Sequence, residues 1–239
     1  MKPMFSYYGS KYKLAKLYGP PKHDLVIEPF AGSAAYSLFW EPKRVILLDL
    51  NPDVIEIWNY LIKAPEKDVL NLPTEFDHVE DLNIPEGAKK LIGFWIAKGR
   101  AIPATKKSKW GEQYARSTDC KVWGEPVKER IASQLHKIRN WECFNFSYNA
   151  ESLNDIAAHW FIDPPYEKAG KRYPFNSLDY RDLAEWCRKR KGFIQVCENK
   201  GANWLPFVDF TDVQTYHHFS ENGVRKTKKS HEVVYQQGS

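Results

Sequence analysis

The sequence predicts an α/β fold with a mostly parallel sheet and an antiparallel hairpin at its C-terminal end. Short apolar runs at 25–27, 45–48, 159–162 and 193–197 alternate with longer stretches of helical periodicity, the pattern of βα units. Several of these runs end in an acid or a small-residue turn. The tail alone breaks the alternation, with two strand-like runs, Val208 to Tyr216 and His231 to Tyr235, placed back to back.

The 239 residues suffice for one full core, or for one domain carrying an insertion. With 43% hydrophobic and 15% aromatic residues the chain reads as globular, not disordered. No apolar run approaches the roughly 20 residues of a membrane span, and the first residues lack the apolar core of a signal peptide. A cytosolic protein without membrane partners is expected. Cys120, Cys143, Cys187 and Cys197 are far apart and form no Cys-x-x-Cys pair, so they are expected as reduced thiols and not as metal ligands. The net charge of +5 permits nucleic-acid binding without requiring it.

In chain order, Phe5-Ser6-Tyr7-Tyr8-Gly9-Ser10-Lys11-Tyr12 places aromatic rings, small residues and a lysine before a short helical pattern, a combination suited to an anionic ligand group. A strand over Leu25 to Ile27 then enters the turn Glu28-Pro29-Phe30-Ala31-Gly32-Ser33, and a helix follows from Ala34 to about Trp40. The small residues let a ligand approach the backbone at the helix start, as in the first turn of a doubly wound sheet. The full glycine fingerprint for phosphate is absent. The next strand, Val45 to Leu48, ends in Asp49. An acid about twenty residues after the small-residue turn is placed to bind ribose hydroxyls, whereas Asn51 or Asp53 is better placed to cap the helix over Asp53 to Ile62.

The character changes from Ala64. A short helix before Pro73, an acidic loop and a helix over Lys89 to Lys98 lead into a basic stretch. Between Lys98 and Lys121 lie seven cations, among them Lys106, Lys107, Lys109 and Arg116, against Glu112 and Asp119. Trp110 and Tyr114 are interleaved with them, as in a nucleic-acid-facing loop. A helix opening at Glu125-Pro126 presents Val127, Ile131, Leu135 and Ile138 on one face and ends near Asn140. A strand over Cys143 to Phe146 and a short helix over Ser152 to Ala157 precede the run that ends in Asp163-Pro164-Pro165-Tyr166. Two prolines cannot donate to a ladder and fix φ near −65°, so they stop the strand and aim an acid, a free carbonyl and a ring. Such a turn suits a flat molecule bearing an amino group. Beyond it lie Lys171 and Arg172 in a loop, a helix over Asp179 to Lys191, a strand over Gly192 to Glu198, and the terminal hairpin, whose connection carries Arg225, Lys226, Lys228 and Lys229.

The order of these parts resembles the Dam-like, alpha-group DNA adenine methyltransferases. The resemblance covers the chain outside about residues 75 to 122. It implies a Rossmann-like class I S-adenosylmethionine-dependent methyltransferase fold, in which residues 1–63 and 142–239 form the catalytic domain and 64–141 an inserted target-recognition segment. S-adenosylmethionine is the implied cofactor and S-adenosylhomocysteine the product, with no metal. Tyr7, Gly9 and Lys11 match the N-terminal cofactor motif, and Glu28, Pro29, Phe30, Ala31 and Gly32, with Ser33 beside them, match the methionine-side loop. Asp49 matches the ribose acid and Leu50 the residue beside adenine. Asn145 and Phe146 match the Asp-Phe pair at the adenine ring. Ser10 and Ala34 stand where glycines are common, and Asn145 where Asp is common.

By the same resemblance Asp163 to Tyr166 are catalytic, and Asp163 also contacts the cofactor. The Asp163 carboxylate and Pro164 carbonyl would accept the amino hydrogens, and Tyr166 would stack on a base flipped out of the duplex. The implied partner is DNA, contacted by Lys106, Lys107, Lys109, Arg116, Lys171 and Arg172, and a monomer is expected, with a dimer as the alternative. Methylation of the cytosine amino group, methylation of RNA or a protein amide, and a non-catalytic DNA-binding role are the competing readings.

Overall fold

The computed structural model describes residues 1–97, 99–108, 122–221 and 224–238. Its strands are β1 (Leu25–Glu28), β2 (Arg44–Leu48), β3 (Glu142–Phe144), β4 (Ala157–Ile162), β5 (Lys191–Asn199), β6 (Val208–Glu221) and β7 (Val224–Gln237). They form one seven-stranded sheet in the order β3-β2-β1-β4-β5-β7-β6. β1 to β5 are parallel, and β7 runs antiparallel between β5 and β6. The helices are α1 (Ala35–Trp40), α2 (Pro52–Lys63), α3 (Glu66–Leu70), α4 (Glu86–Ala97), α5 (Glu125–Ala132) and α6 (Tyr180–Arg188). This mostly parallel sheet, closed by an antiparallel pair, is the Rossmann-like α/β architecture expected from the sequence.

Both faces of the sheet are covered, which explains why its strands are nearly continuous apolar runs. In β2, Val45 and Leu47 join Trp58, Phe94, Val127 and Ile131 on one side, whereas Leu48 joins the opposite cluster. There Trp160 and Ile162 of β4 pack with Leu183, Trp186 and Ile194. The helices α3, α4 and α5, all from the 64–141 segment, share the core of α2. β1 pairs with β2 on one side and β4 on the other, so the chain order reverses between β1 and β4. In open α/β sheets ligands bind at such a reversal, beyond the strand C-termini.

Caps set several boundaries. Asn51 accepts from Asp53 N at 3.1 Å, with Pro52 opening α2, and Asp179 accepts from Arg181 N and Asp182 N to open α6. Elsewhere the structure corrects the sequence reading. The helical pattern after Lys11 is a run of turns. The helix expected to reach Asn140 stops at Ala132, where the Ser133 hydroxyl and Gln134 amide both donate to Arg130 O, competing with its helical bond. A 3-10 turn over Leu135–Ile138 then keeps the buried face continuous. β3 ends at Phe144, so Asn145 and Phe146 follow the strand. Residues 151–153 form a 3-10 turn in place of the expected short helix, and Ala157 already belongs to β4. The terminal hairpin is far longer than its apolar runs, so Arg225 to Lys229 lie within β7. Among the described residues no helix is long and apolar enough to cross a membrane.

Candidate active site

The ends of β1, β2 and β4 supply three acids around one cleft. Glu28, the last residue of β1, is buried, and its Oε1 accepts from Ser37 N at 2.9 Å, tying α1 to the strand. Burial pushes its carboxyl up to about 7, against the opposing Ser37 bonds. Asp49, just beyond β2, accepts from Gly32 N at 2.9 Å and Asn51 N at 2.8 Å. It therefore clamps the small-residue turn to the end of the second strand. Burial raises it to about 6, and these two N–H bonds pull the other way. Gly32 has φ 44°, and a Cβ there would lie 3.0 Å from the Tyr7 ring. Its carbonyl accepts from Trp58 Nε1 at 2.9 Å. Ala34, where glycine is common in the family it resembles, also adopts a left-handed conformation at φ 46°, at a cost of about 1–2 kcal/mol for an alanine.

The N-terminal residues cover this turn. The Ser33 hydroxyl donates to that of Ser10 at 2.9 Å, so the serine standing for a second glycine has a partner. Gly9 has φ 73°, and any Cβ on it would collide with the Tyr173 hydroxyl. That hydroxyl donates to Tyr8 O at 3.1 Å, which draws the loop after Tyr166 over the arm.

The third acid, Asp163, follows β4. The Lys11 ammonium, itself buried, lies 3.1 Å from Asp163 Oδ1, 3.9 Å from Glu232 Oε2 and 4.5 Å from the Tyr166 ring centroid. Burial alone would lower the Lys11 pKa, but the two carboxylates raise it well above its ordinary value. Burial raises Asp163; the Lys11 charge opposes this and Glu232 adds to it. The Tyr166 hydroxyl donates to Glu232 Oε2 at 2.5 Å. Tyr180 donates to Pro165 O at 2.6 Å, and Gly170 packs so closely on Pro165 that a Cβ there would lie 2.8 Å from its carbonyl carbon. Beyond the turn, buried Glu198 accepts from Glu167 N and Trp204 Nε1. The turn is thus fixed from both sides. Among the described residues no backbone N–H outside the ladders donates to the Pro164 carbonyl, and buried Pro164 is not among the residues lining the cleft.

The three strand ends open onto one cleft. Tyr7, Gly9, Lys11, Glu28, Pro29, Phe30, Ala31, Gly32, Ser33, Asp49, Leu50, Asp163 and Pro165 all line it. Tyr8, Ser10, Tyr148, Tyr173, Phe175 and Leu178 line it too, although sequence reasoning did not assign them. An aromatic pair, Tyr173 and Phe175, soon after the proline turn was the available signal. Glu232 left no signal, because only strand pairing brings it to Tyr166.

Other expected residues lie elsewhere. Tyr166 is buried, with its hydroxyl on Glu232 and its ring 4.5 Å from the Lys11 ammonium, and it is not among the residues lining the cleft. Asn145 and Phe146 stand outside the cleft lining. Asn145 donates to Asp49 O at 2.8 Å, and the exposed Phe146 ring lies parallel to Phe144 at 6.0 Å. Lys107 is also corrected: it is buried, donates to Thr74 O and covers the Phe76 ring. Lys106, Lys171 and Arg172 are exposed. Lys109 and Arg116 lie outside the described residues. No group of three His, Cys, Asp or Glu suited to a metal occurs among the described residues.

The site's residues fit S-adenosylmethionine on geometry alone: a left-handed glycine turn, an acid fixed at the next strand end, and an apolar ledge at Leu50, 45% exposed. The family model for D12 class N6 adenine-specific DNA methyltransferases matches residues 7–87. This span includes the arm, the turn at Glu28 to Ser33, and Asp49, and it bears out the resemblance carried by those motifs. None of the curated proteins matches the sequence. Similar solved structures include a precorrin-6y C5,15-methyltransferase from Geobacter metallireducens GS-15, with 11% identity, TM-score 0.44, and coverage of 98% of this chain and 93% of that one. A Pyrococcus horikoshii protein provisionally described as an RNA methyltransferase shows 11% identity, TM-score 0.34, and coverage of 95% and 77%.

Proposed function

We propose that this chain, a relative of the D12 class N6 adenine-specific DNA methyltransferases through residues 7–87, methylates the exocyclic amino group of adenine in DNA. S-adenosylmethionine supplies an activated methyl group when bound, and the protein supplies position and dipoles. Asp49 offers its carboxylate to the ribose hydroxyls. Leu50 flanks the adenine ring, and the turn at Glu28 to Ser33 holds the methionine side.

The observation that carries the reading is the Asp163 carboxylate at the end of β4, which lines the same cleft as Asp49 and is followed in the chain by the Pro164 carbonyl. The Asp163 carboxylate and the Pro164 carbonyl accept the two hydrogens of the target amino group. This favours a pyramidal nitrogen with an available lone pair, and it sets negative charge where positive charge develops. Lys11 holds the carboxylate in place, and Glu232 keeps that ammonium from neutralising Asp163 alone. After methyl transfer the excess proton on nitrogen passes to Asp163, whose raised pKa suits it to receive one. The base leaves the duplex to enter the cleft. With Tyr166 buried, Tyr8, Tyr173 and Phe175 provide the rings against which it packs.

The test is labelled methyl transfer to duplex DNA followed by nucleoside identification. N6-methyladenine is expected. N4-methylcytosine as the product, or methylation of RNA without DNA, would overturn the assignment.

A further inference from the structure

The β6–β7 hairpin reaches well past the sheet that supports it. β7 pairs with β5 only over residues 232–237, the last pair being Asn199 with Glu232. His231 and Ser230 are still bonded to Lys200 and Asn199, and from Lys229 back to Val224 the ladder is with β6 alone, out to the Glu221–Val224 pair. Six residues at about 3.4 Å each give an arm of roughly 20 Å. β5 is parallel to β4, and Asn199 is its last residue. The arm therefore projects beyond the same strand ends that carry Asp163, Glu28 and Asp49. Its root is fastened to the catalytic turn, because Glu232 accepts from the Tyr166 hydroxyl at 2.5 Å.

The charge of the arm is one-sided. Residues 224–229 include Arg225, Lys226, Lys228 and Lys229, and the facing residues 213–221 include one acid, Glu221. The register places Lys226 opposite Phe219, Lys228 opposite Thr215 and Lys229 opposite Gln214. No acid stands directly across from these three.

We propose that the free-standing part of the β6–β7 hairpin is a DNA-contacting arm that grips the duplex beside the target base. The inference rests on the DNA reading above and names a second contact surface for it, separate from the basic stretch before Lys121. The partner is duplex DNA because the shape and charge agree with it. A two-stranded ribbon fits the major groove, about 12 Å wide, and the arm's reach matches about six base pairs at 3.4 Å per step. Four cations on so short a ribbon neutralise phosphates irrespective of sequence. Binding there draws the duplex against the root of the arm, where Glu232 holds Tyr166 and the flipped base must enter.

The experiment compares the parent protein with the quadruple variant Arg225→Ser, Lys226→Ser, Lys228→Ser, Lys229→Ser. A short fluorescent duplex is titrated at several salt concentrations between about 50 and 200 mM. Calorimetry with S-adenosylmethionine runs alongside as a check on folding. The variant is expected to bind DNA about tenfold or more weaker. Its plot of log affinity against log salt should be shallower by up to about 3.6, or about 0.9 for each phosphate that the variant leaves unneutralised, with unchanged cofactor affinity. A single Lys228→Glu substitution, easier for the hairpin to tolerate, should shift both quantities the same way. If the parent binds the duplex and both variants match it in affinity and slope, the arm is not a DNA surface and its lysines only guard exposed strand edges. A parent that binds cofactor but no duplex would refute the DNA reading itself, and the arm with it.

Discussion

Replacing Lys11 by Met removes one positive charge from between two buried carboxylates and keeps an unbranched side chain beside the Tyr166 ring. At an effective dielectric constant near 20, the 3.1 Å contact with Asp163 corresponds to about 5 kcal/mol of gross attraction, and the 3.9 Å contact with Glu232 to about 4 kcal/mol. Release of the ammonium from its buried position offsets much of this. Breaking a buried pair by deleting one partner costs about 3–5 kcal/mol net. The defect also depends on pH. Asp163 is already raised by burial and by Glu232, and Lys11 is the group that restrains it; in Lys11→Met its folded pKa rises further above the unfolded value near 3.9. A group raised in this way contributes stability that is present below the unfolded pKa and is lost as pH rises through the folded pKa. The variant should therefore unfold in denaturant close to the parent at pH 4–5 and fall behind by about 3 kcal/mol or more at pH 8. Its methyl-transfer rate should recover only at higher pH than in the parent. A defect under about 1 kcal/mol, equal at pH 5 and pH 8, would refute the three-charge arrangement.

Two further outcomes follow from the cofactor turn. Gly32→Ala meets both a left-handed φ and the Tyr7 ring, so a loss of about 1–2 kcal/mol of stability is expected, with weaker S-adenosylmethionine binding by calorimetry; unchanged affinity would show that the turn relaxes freely. Asp49 is raised to about 6, so cofactor affinity should fall as pH drops through 6 and the ionised acceptor is lost. In Asp49→Asn that pH dependence should disappear, and a curve that persists would assign it to another group.

The sheet was legible because each of its buried strands is a short apolar run, and the cleft because three of those runs end in acids. Periodicity overreached where side chains compete with the backbone, as Ser133 and Gln134 do at Arg130. It fell short in the hairpin, whose outer residues are polar and charged, so strand pairing there has no apolar signature. The burial of Lys107 and Tyr166 has a related reason. A basic or aromatic residue in a functional-looking segment still turns inward when a buried acceptor, Thr74 O or Glu232, is within reach. Glu232 lies 66 residues from the turn it holds. No local pattern in the chain announces a contact made across strands.

The central claim is that the Asp163 carboxylate, preorganised at the end of β4, activates the amino group that receives the methyl. Single-turnover transfer of a labelled methyl group to DNA by Asp163→Ala, with S-adenosylmethionine affinity measured on the same sample, tests it most directly. The expected result is a fall in the transfer rate of at least about 10²-fold, the lower range for loss of one preorganised polar group, with cofactor affinity within a few-fold of the parent. Transfer at the parent's rate with the cofactor bound would contradict the claim.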